Sequence, residues 1–359
     1  MSIQIRHISN FLHEWAPPST KMDYDNVGLL VGDPSANVSK VLTCLDITLD
    51  VVNEAIEENV DLIVAHHPLI FKKISRINPT DERGKIIFKL IKNDIGLIAA
   101  HTNLDAARDG VSFVLAETIG LTQLEFLDRS FTLSRKVEFA ADASNQQAIS
   151  RILNRYAAEA PLHYEVNNQD GELRKFEMYL DAHQLPALKQ VLTREDIIEP
   201  GHLKVMEIEN PIDSAGMGVI GTAPGEGWSQ DEFLQHLTHQ LDLKAIRFSG
   251  EAGRIRKVAV CGGAGVFLSS RAAAAGAQAF VTGDIKYHDY FTEQDNFLLI
   301  DVGHYESEVP VVGVLQQKIA SEFNEVDVMQ TRCVTNAMKV FVPDKEFQKQ
   351  QPNQSKVRS

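Results

Sequence analysis

Residues 40–67 read KVLTCLDITLDVVNEAIEENVDLIVAHH and combine two short apolar runs with a segment of helical periodicity between them. The runs KVLTCLD and DLIVA are predicted strands, since short apolar segments of this kind are typical of strands buried on both faces. The intervening DVVNEAIEENV is a predicted helix. Strand, helix and strand in this order indicate a parallel βαβ unit, in which ligands gather beyond the carboxyl ends of the strands. His66 and His67 stand at such an end.

A second segment repeats this layout. Residues 257–284 read KVAVCGGAGVFLSSRAAAAGAQAFVTGD, and the spacing of 22 residues from Cys44 to His66 recurs between Cys261 and Gly283. Each segment then continues through a predicted helix, RGKIIFKLIKND or IKYHDYFTEQD, into a third strand, IGLIAA or FLLIDV. The correspondence predicts an α/β fold with an internally duplicated core and a largely parallel sheet.

The segment between the two halves, from about residue 135 to residue 211, has a different pattern. KVEFAA, NQQAISRILNRYAAE, LHYEV, LRKFEMYL, LPALKQVL and LKVMEIE read as βαββαβ, with NNQDGE turning the central hairpin, which predicts an inserted ferredoxin-like domain. The terminal DKEFQKQQPNQSKVRS has almost no apolar residues and is expected to be disordered. We therefore divide the chain into 1–130 (first half of the core), 131–214 (insert), 215–343 (second half) and 344–359 (tail).

The composition excludes several classes of protein. The 359 residues suggest about two to three domains, and 44% hydrophobic residues exclude overall disorder. A net charge of −14 argues against a broadly basic surface that binds nucleic acid. The three cysteines are too far apart for a CxxC site and suit a reducing compartment. We find no signal peptide or membrane span and expect a soluble cytoplasmic protein.

Three polar motifs follow predicted strands and are candidates for chemistry. His66 and His67 are neighbours on extended backbone, so their side chains point to opposite sides and suit two cations better than one. The alternative is a hydrogen-bonded pair at a strand end. HTNLD supplies His101 and Asp105. Asp105 suits a bridge between two metals, or else it caps a following helix.

GHYESE supplies the third motif. His304 and Glu308 are four residues apart, so a helix would place both on one face, whereas Glu306 would face solvent. The combined imidazoles and carboxylates suit zinc, iron, manganese or nickel rather than calcium. Few protein ligands for two ions would leave positions open for water or substrate, which favours a hydrolase that uses metal-bound hydroxide. These predicted metal ligands are His66, His67, Asp105, His304 and Glu308.

Two further loops lie beside the predicted site. CGGAG does not complete a dinucleotide-binding GxGxxG motif and is interpreted as a tight turn. TGDIKYH contains Asp284, Lys286 and His288, which could bind substrate, orient metal ligands or have no chemical role.

Six motifs together resemble a known family. DYDNVGLLVG, AHHPLIFKK, AAHTNLDAARDGV, KVAVCGGAG, FVTGDIKYHDY and LIDVGHYESE occur in the order found in the GTP cyclohydrolase 1 type 2 homologues, also called NGG-interacting-factor-three-like proteins. The resemblance covers about residues 1–130 and 215–343. It implies an αβα core, two divalent metal ions on the five ligands above, a homo-oligomer in the form of a hexameric ring and an insert similar to PII/CutA domains.

The predicted function follows from both lines of reasoning. We expect a metal-dependent hydrolase for a nucleotide-like or small polar substrate, with the cyclohydrolase reaction on GTP as one example. In that reaction metal-bound hydroxide would attack the purine, and His101 or His288 would move protons. The alternative is a metal carrier or a regulatory ring that binds a partner without turnover.

Overall fold

The computed structural model describes residues 2–153, 162–165, 173–181, 185–198, 201–291 and 295–342. The predicted tail 344–359 and the predicted turn 167–172 lie outside these residues. Strands alternate with helices along the chain, and the two large sheets contain both parallel and antiparallel strand pairs. The predicted α/β class is therefore confirmed.

The helices of the described residues lie before, between and after the strands. They are α1 (Ile5–Trp15), α2 (Leu49–Glu57), α3 (Glu82–Lys92), α4 (Thr102–Ala106), α5 (Val111–Thr118), α6 (Gln146–Leu153), α7 (Leu185–Arg194), α8 (Gln230–Gln240), α9 (Ser269–Ala274), α10 (His304–Glu308) and α11 (Pro310–Glu322).

The strands form two large sheets and one short ribbon. They are β1 (Gly28–Val31), β2 (Lys40–Cys44), β3 (Leu62–Ala65), β4 (Gly96–Ala99), β5 (Thr122–Asp142), β6 (Leu162–Glu165), β7 (Leu173–Asp181), β8 (Lys204–Thr222), β9 (Trp228–Ser229), β10 (Arg247–Glu251), β11 (Arg254–Ile255), β12 (Lys257–Val260), β13 (Ala279–Thr282), β14 (Phe297–Asp301) and β15 (Asp327–Gln330).

The two sheets repeat one arrangement of strands. The first has the order β1-β4-β3-β2-β15, and the second begins β10-β14-β13-β12-β8. β2, β3 and β4 are parallel, as are β12, β13 and β14, and an antiparallel strand, β1 or β10, lies beside the third strand of each set. The first four strands of the two sheets thus match, whereas the fifth differs, since β15 is parallel to β2 and β8 is antiparallel to β12. The four matching strands support the internal duplication that the 22-residue spacing predicts.

Helices cover both faces of the first sheet. Val41 and Val64 share a hydrophobic cluster with α1, α5 and α11, whereas Leu42 and Ile63 share one with α2 and α3. Successive side chains of a strand point to opposite faces, so strands covered on both sides must be apolar throughout. All four side chains are fully buried. This layering holds the carboxyl ends of the strands, and the residues that follow them, in fixed positions.

The segment between the halves extends the second sheet. β5 and β8 are 21 and 19 residues long, pair with each other and continue into the order β8-β5-β7-β6. The element order of this region is β5, α6, β6, β7, α7, β8. The boundaries expected near residues 130 and 214 therefore fall within long strands rather than in loops. The division into domains stays a prediction.

The structure contradicts the helix predicted for IKYHDYFTEQD in the residues of this segment that it describes. Only a 3₁₀ turn, Tyr287–Tyr290, forms there. Asp284 adopts a left-handed backbone conformation, with φ of 54°, just before the segment. The carboxylate of Asp301 accepts hydrogen bonds from the Ile285 amide and the Tyr290 hydroxyl. These contacts to β14 fix both ends of the segment in a conformation that local periodicity cannot reveal.

Two further observations bear on the composition. Cys44, Cys261 and Cys333 are free thiols, and the first two are buried. None of the helices in the described ranges combines the length and the hydrophobicity that crossing a membrane requires.

Candidate metal centre

The carboxyl ends of the parallel strands in both halves lead to one cluster of polar side chains. His66 and His67 follow β3, and His101 follows β4. His304 follows β14 of the other sheet and begins α10, on which Glu308 also lies. The two halves of the duplicated core therefore contribute to the same site.

Imidazole and carboxylate atoms converge in this cluster. Glu308 Oε2 lies 3.0 Å from His67 Nε2 and 3.1 Å from His304 Nε2. His66 Nε2 lies 3.6 Å from Asp105 Oδ1 and 3.8 Å from Glu308 Oε1. The sequence-predicted ligands, His66, His67, Asp105, His304 and Glu308, are thus brought together.

Two atoms at the centre, His66 Nε2 and Asp105 Oδ1, are buried without a hydrogen-bond partner, and Glu308 Oε2 contacts only imidazole nitrogens. Leaving a buried polar atom unpaired costs on the order of 1–3 kcal/mol, so two such atoms 3.6 Å apart point to a missing partner. Nitrogen and oxygen donors in this mixture suit a divalent transition metal. The residues present therefore fit the expected metal.

The donors divide into groups that share Glu308. Within each group the possible ligand atoms lie within 4.8 Å of one another. One group contains His67, His304 and Glu308, and another contains His66, Asp105 and Glu308. Glu308 is the carboxylate common to these two groups, whereas the sequence predicted that position for Asp105. His66 and His67 belong to different groups here, but their ring centroids are only 4.8 Å apart, so their side chains do not point to opposite sides as the sequence predicted.

His101 also joins the cluster. It forms a further group with His66 and His67 whose donor atoms meet the same 4.8 Å limit. The sequence predicts proton transfer for His101, and the structure adds it to the side chains whose donor atoms face the cluster.

Each of the histidines donates through Nδ1 to an acceptor outside the cluster. His66 donates to the Ala100 carbonyl at 2.8 Å, which leaves its Nε2 lone pair directed at the centre. His67 Nδ1 lies 2.7 Å from Asp46 Oδ1. Such partners fix the tautomer and orientation of a metal-binding imidazole and raise its basicity.

The other two histidines have carboxylate partners as well. His101 Nδ1 lies 2.9 Å from Asp25 Oδ1, and His304 Nδ1 lies 2.8 Å from Asp284 Oδ2. Asp25 also accepts a hydrogen bond from the Thr102 amide at 3.0 Å. Burial disfavours its charged form, but the hydrogen bonds from His101 and Thr102 outweigh burial and hold the pKa of Asp25 well below its usual value.

Sequence reasoning missed Asp25 and Asp46 as orienting residues. Asp46 lies two residues after the end of β2, so the rule that polar residues gather at the carboxyl ends of strands could have identified it. Asp25 lies before β1 in DYDNVG, where no periodicity or motif spacing indicates a contact with His101. Asp284 was proposed for such a role, and its carboxylate does face His304.

Burial and neighbouring charges shift the pKa values of several groups in the cluster. Burial raises the pKa of Asp105, and the nearby charge of Glu308 raises it further. Burial opposes the charged form of His67, but Asp46 and Glu308 outweigh it and raise its pKa to about 10. Glu308 also raises the pKa of His304 to about 9. Glu308 is thus a cause common to all three shifts.

The alternative role of Asp105 as a helix cap is wrong. Asp105 lies within α4, and α5 begins with Gly110 at its N-cap position. Its carboxylate is thus available to the cluster. Glu306 is half-buried and accepts a hydrogen bond from Asn336 Nδ2 at 2.9 Å, instead of facing solvent as expected.

The loop CGGAG forms the predicted tight turn against the cluster. The Gly263 carbonyl accepts hydrogen bonds from the amides of Gly265, at 3.1 Å, and Gly283, at 2.8 Å. Gly263 has φ of +62°, and a Cβ there would lie 2.3 Å from Glu308 Oε1. The turn therefore needs a residue without a side chain to leave room for Glu308.

Lys286 and His288 lie outside the cluster contacts. Both are exposed, and His288 lies in the 3₁₀ turn. Its neighbours Tyr287 and Phe291 line a cavity of about 550 Å³. Within the described ranges, no hydrogen bond or ion pair joins Lys286 or His288 to the metal-binding groups, and their roles stay predictions.

We expect Asp46→Ala to weaken metal binding about 10- to 100-fold, the usual effect of removing a residue that orients a ligand. Without Asp46, His67 loses its acceptor, and the hydroxyl of Thr335, which donates to Asp46 Oδ2 at 2.7 Å, loses one as well. Competition with a chromophoric chelator measures the affinity. The exposed Asp33→Ala serves as the control. Equal affinities in the two variants would contradict the orienting role.

Comparison with known proteins identifies similar chains. A family model described as Duf34/NIF3 (NGG1p interacting factor 3) matches residues 3–337. A protein of Staphylococcus aureus (strain MSSA476) named GTP cyclohydrolase 1 type 2 homolog is 33% identical over 349 residues, which cover 90% of this chain and 94% of that protein.

Solved structures agree with this result. The crystal structure of Staphylococcus aureus protein SA1388 has a TM-score of 0.72 at 32% identity and covers 95% of this chain and 99% of that one. The crystal structure of a Bacillus cereus protein related to NIF3 has a TM-score of 0.71 at 28% identity, with the same coverage.

Proposed function

The chain belongs to the Duf34/NIF3 (NGG1p interacting factor 3) family, and from this membership and the geometry of its cluster we propose a metal-dependent hydrolase. Its substrate is a nucleotide-like or small polar molecule. The observation that carries the proposal is the pair of donor groups sharing Glu308, with unpaired buried atoms at their centre.

Two divalent ions per chain would occupy these groups. His67, His304 and Glu308 would hold one ion, and His66, Asp105 and Glu308 the other. When bound, such ions supply Lewis acidity and lower the pKa of water to near neutrality. Three protein donors for each ion would leave positions for substrate, which is the arrangement of catalytic rather than structural metal sites.

His101 is the residue that we propose to move protons. Asp25 fixes its Nδ1 as the donor, so Nε2 is the atom that takes up or releases a proton on the side of the cluster. This pairing of carboxylate and imidazole is the arrangement by which general bases are oriented in many hydrolases.

We expect His101→Gln to reduce turnover about 100- to 10,000-fold, the usual contribution of general acid–base catalysis, with little change in metal content. Elemental analysis and rate measurements on the same preparation separate the two roles of this residue. Loss of one metal ion from the variant would instead assign His101 to the ligands.

Turnover on metal-replete protein tests the function as a whole. GTP, other nucleotides and cyclic amides form the first panel, because the curated relatives are named for a GTP cyclohydrolase. Turnover that disappears in Glu308→Gln would support the hydrolase. Tight, exchangeable metal without turnover on any member of the panel would favour the metal carrier.

We propose a homo-oligomer, in the form of a hexameric ring, in the cytoplasm. Free cysteines suit a reducing compartment. Exposed apolar side chains occur close together in residues 334–342, and subunit contacts would cover them: Val334, Met338, Val340, Phe341 and Val342.

A further inference from the structure

Two exposed aromatic rings lie beside the candidate metal centre. Tyr24 is 65% exposed and Phe71 is 41% exposed. Their ring centroids are 5.9 Å apart at an interplanar angle of 56°. The Phe71 centroid lies 6.3 Å from that of His101, with the rings nearly perpendicular. The aromatic pair therefore adjoins the cluster but leaves much of its surface to solvent.

The loops that carry these rings are held to each other and to the cluster. Asn26 Nδ2 donates to the Ile70 carbonyl at 2.7 Å, which joins the loop of Tyr24 to that of Phe71. Asp25, between Tyr24 and Asn26, is bonded to His101. The rings thus occupy set positions relative to the metal-binding residues. Adjacent large apolar side chains kept in water beside a site are characteristic of a ligand-binding surface.

Positive charge follows the aromatic pair directly. Residues 68–80 contain Lys72, Lys73 and Arg76 and no acidic residue, in a chain of net charge −14. The three side chains belong to exposed residues, and the described part of the structure pairs none of them with a carboxylate. Lys73 and Arg76 line a cavity of about 440 Å³ together with Arg83. Asp81 and Glu82 also line it, so three cations face two carboxylates there.

We propose that Tyr24, Phe71 and the segment from Lys72 to Arg76 form a substrate subsite for a planar heteroaromatic ring that carries a phosphate. The aromatic pair stacks on the ring, and the cations bind the phosphate. This inference rests on the proposed function, since it assigns a substrate class to the same site. It selects nucleotides over neutral cyclic amides.

The chemistry supports this choice of ligand. Aromatic side chains stack on the face of any nucleobase, and this contact contributes substantially to affinity. Exposed lysines bind phosphate by electrostatic attraction, and this attraction weakens as the salt concentration rises. A neutral cyclic amide would use neither the cations nor an extended aromatic surface. A nucleotide would use both.

Binding measurements with three probes test the subsite. GMP presents ring and phosphate, guanosine presents the ring, and ribose 5-phosphate presents the phosphate. We expect the Tyr24→Leu/Phe71→Leu double variant to bind GMP and guanosine about 10- to 100-fold more weakly, with ribose 5-phosphate unchanged. The Lys72→Gln/Lys73→Gln variant should lose affinity for GMP and ribose 5-phosphate but not for guanosine, and its binding should depend less on salt.

Matched controls lie on α3. Phe88→Leu removes a ring that is 49% exposed, and Lys85→Gln/Lys92→Gln makes the same charge change on exposed lysines. Metal content is measured in every preparation, so that loss of the cluster is not mistaken for loss of the subsite. Unchanged GMP affinity in the aromatic variant, equal losses in the controls, or no binding of GMP by the unmodified protein would each overturn the proposal.

The outcomes separate the subsite from the proposed function. Probe binding with the expected pattern but no turnover would refute the hydrolase and leave the subsite standing. Turnover on a substrate without a ring, unaffected in both subsite variants, would refute the subsite and leave the hydrolase standing.

Discussion

Glu308→Gln is expected to remove both metal ions, whereas Asp105→Asn should remove only one. Glu308 belongs to both donor groups, and Asp105 belongs to one. Glu308 is 3% exposed, so a neutral amide there would leave the surrounding imidazoles without their shared, buried carboxylate. A carboxylate bridges two ions through its two oxygens, and an amide has one oxygen to offer. We therefore expect metal content to fall from about two ions per chain to about none in Glu308→Gln and to about one in Asp105→Asn.

Elemental analysis of protein purified without chelators measures this difference. Glu306→Gln is the matched control, because Glu306 lies on the same short helix and bonds to Asn336 instead of the cluster. It should retain both ions. Retention of one ion by Glu308→Gln, with loss of both by Asp105→Asn, would return the bridging role to Asp105 as the sequence first suggested.

The sequence predicted the parts of the site that depend on strand order. Apolar strands followed by polar residues placed His66, His67 and His304 at sheet edges, and the structure brings these edges together. The i,i+4 spacing of His304 and Glu308 predicted their contact, which is 3.1 Å long. These features are local or repeat in both halves of the core, so periodicity and spacing reveal them.

Other parts of the site depend on distant contacts that no local pattern records. Asp25 reaches His101 across 76 positions of sequence. Glu308 contacts donors from both halves of the core because the two sheets meet there. The sequence alone therefore could not decide whether Glu308 or Asp105 is the carboxylate common to both donor groups. The segment after Asp284 carries a helix-like pattern, yet its contacts with Asp301 hold it as a single turn. Tertiary contacts outweigh local preference at each of these positions.

Metal binding is expected to depend on the free space beside Glu308 as well as on the ligands themselves. Gly263 has φ of +62°, and a Cβ on it would meet Glu308 Oε1 at 2.3 Å and His304 Cε1 at 3.3 Å. Glu308 is buried and held from several sides, so its carboxylate cannot simply move into solvent. Gly276, which ends α9, has φ of +81° and has no atom within 4 Å of an added Cβ. The two glycines thus share a backbone conformation but differ in their neighbours.

Gly263→Ala is therefore expected to lower metal affinity about 10- to 100-fold, while Gly276→Ala leaves it unchanged. Gly276→Ala should lose about 1–2 kcal/mol of unfolding free energy, since it places a Cβ in the left-handed region. Gly263→Ala should lose at least as much, because its Cβ also meets the buried Glu308 carboxylate. Chelator competition measures the affinity, and denaturant unfolding of metal-free protein measures the common backbone cost. Equal metal affinity in the two variants would show that the site tolerates displacement of Glu308. A selective loss in Gly263→Ala would show that the CGGAG turn contributes to the metal centre by leaving room for its shared carboxylate.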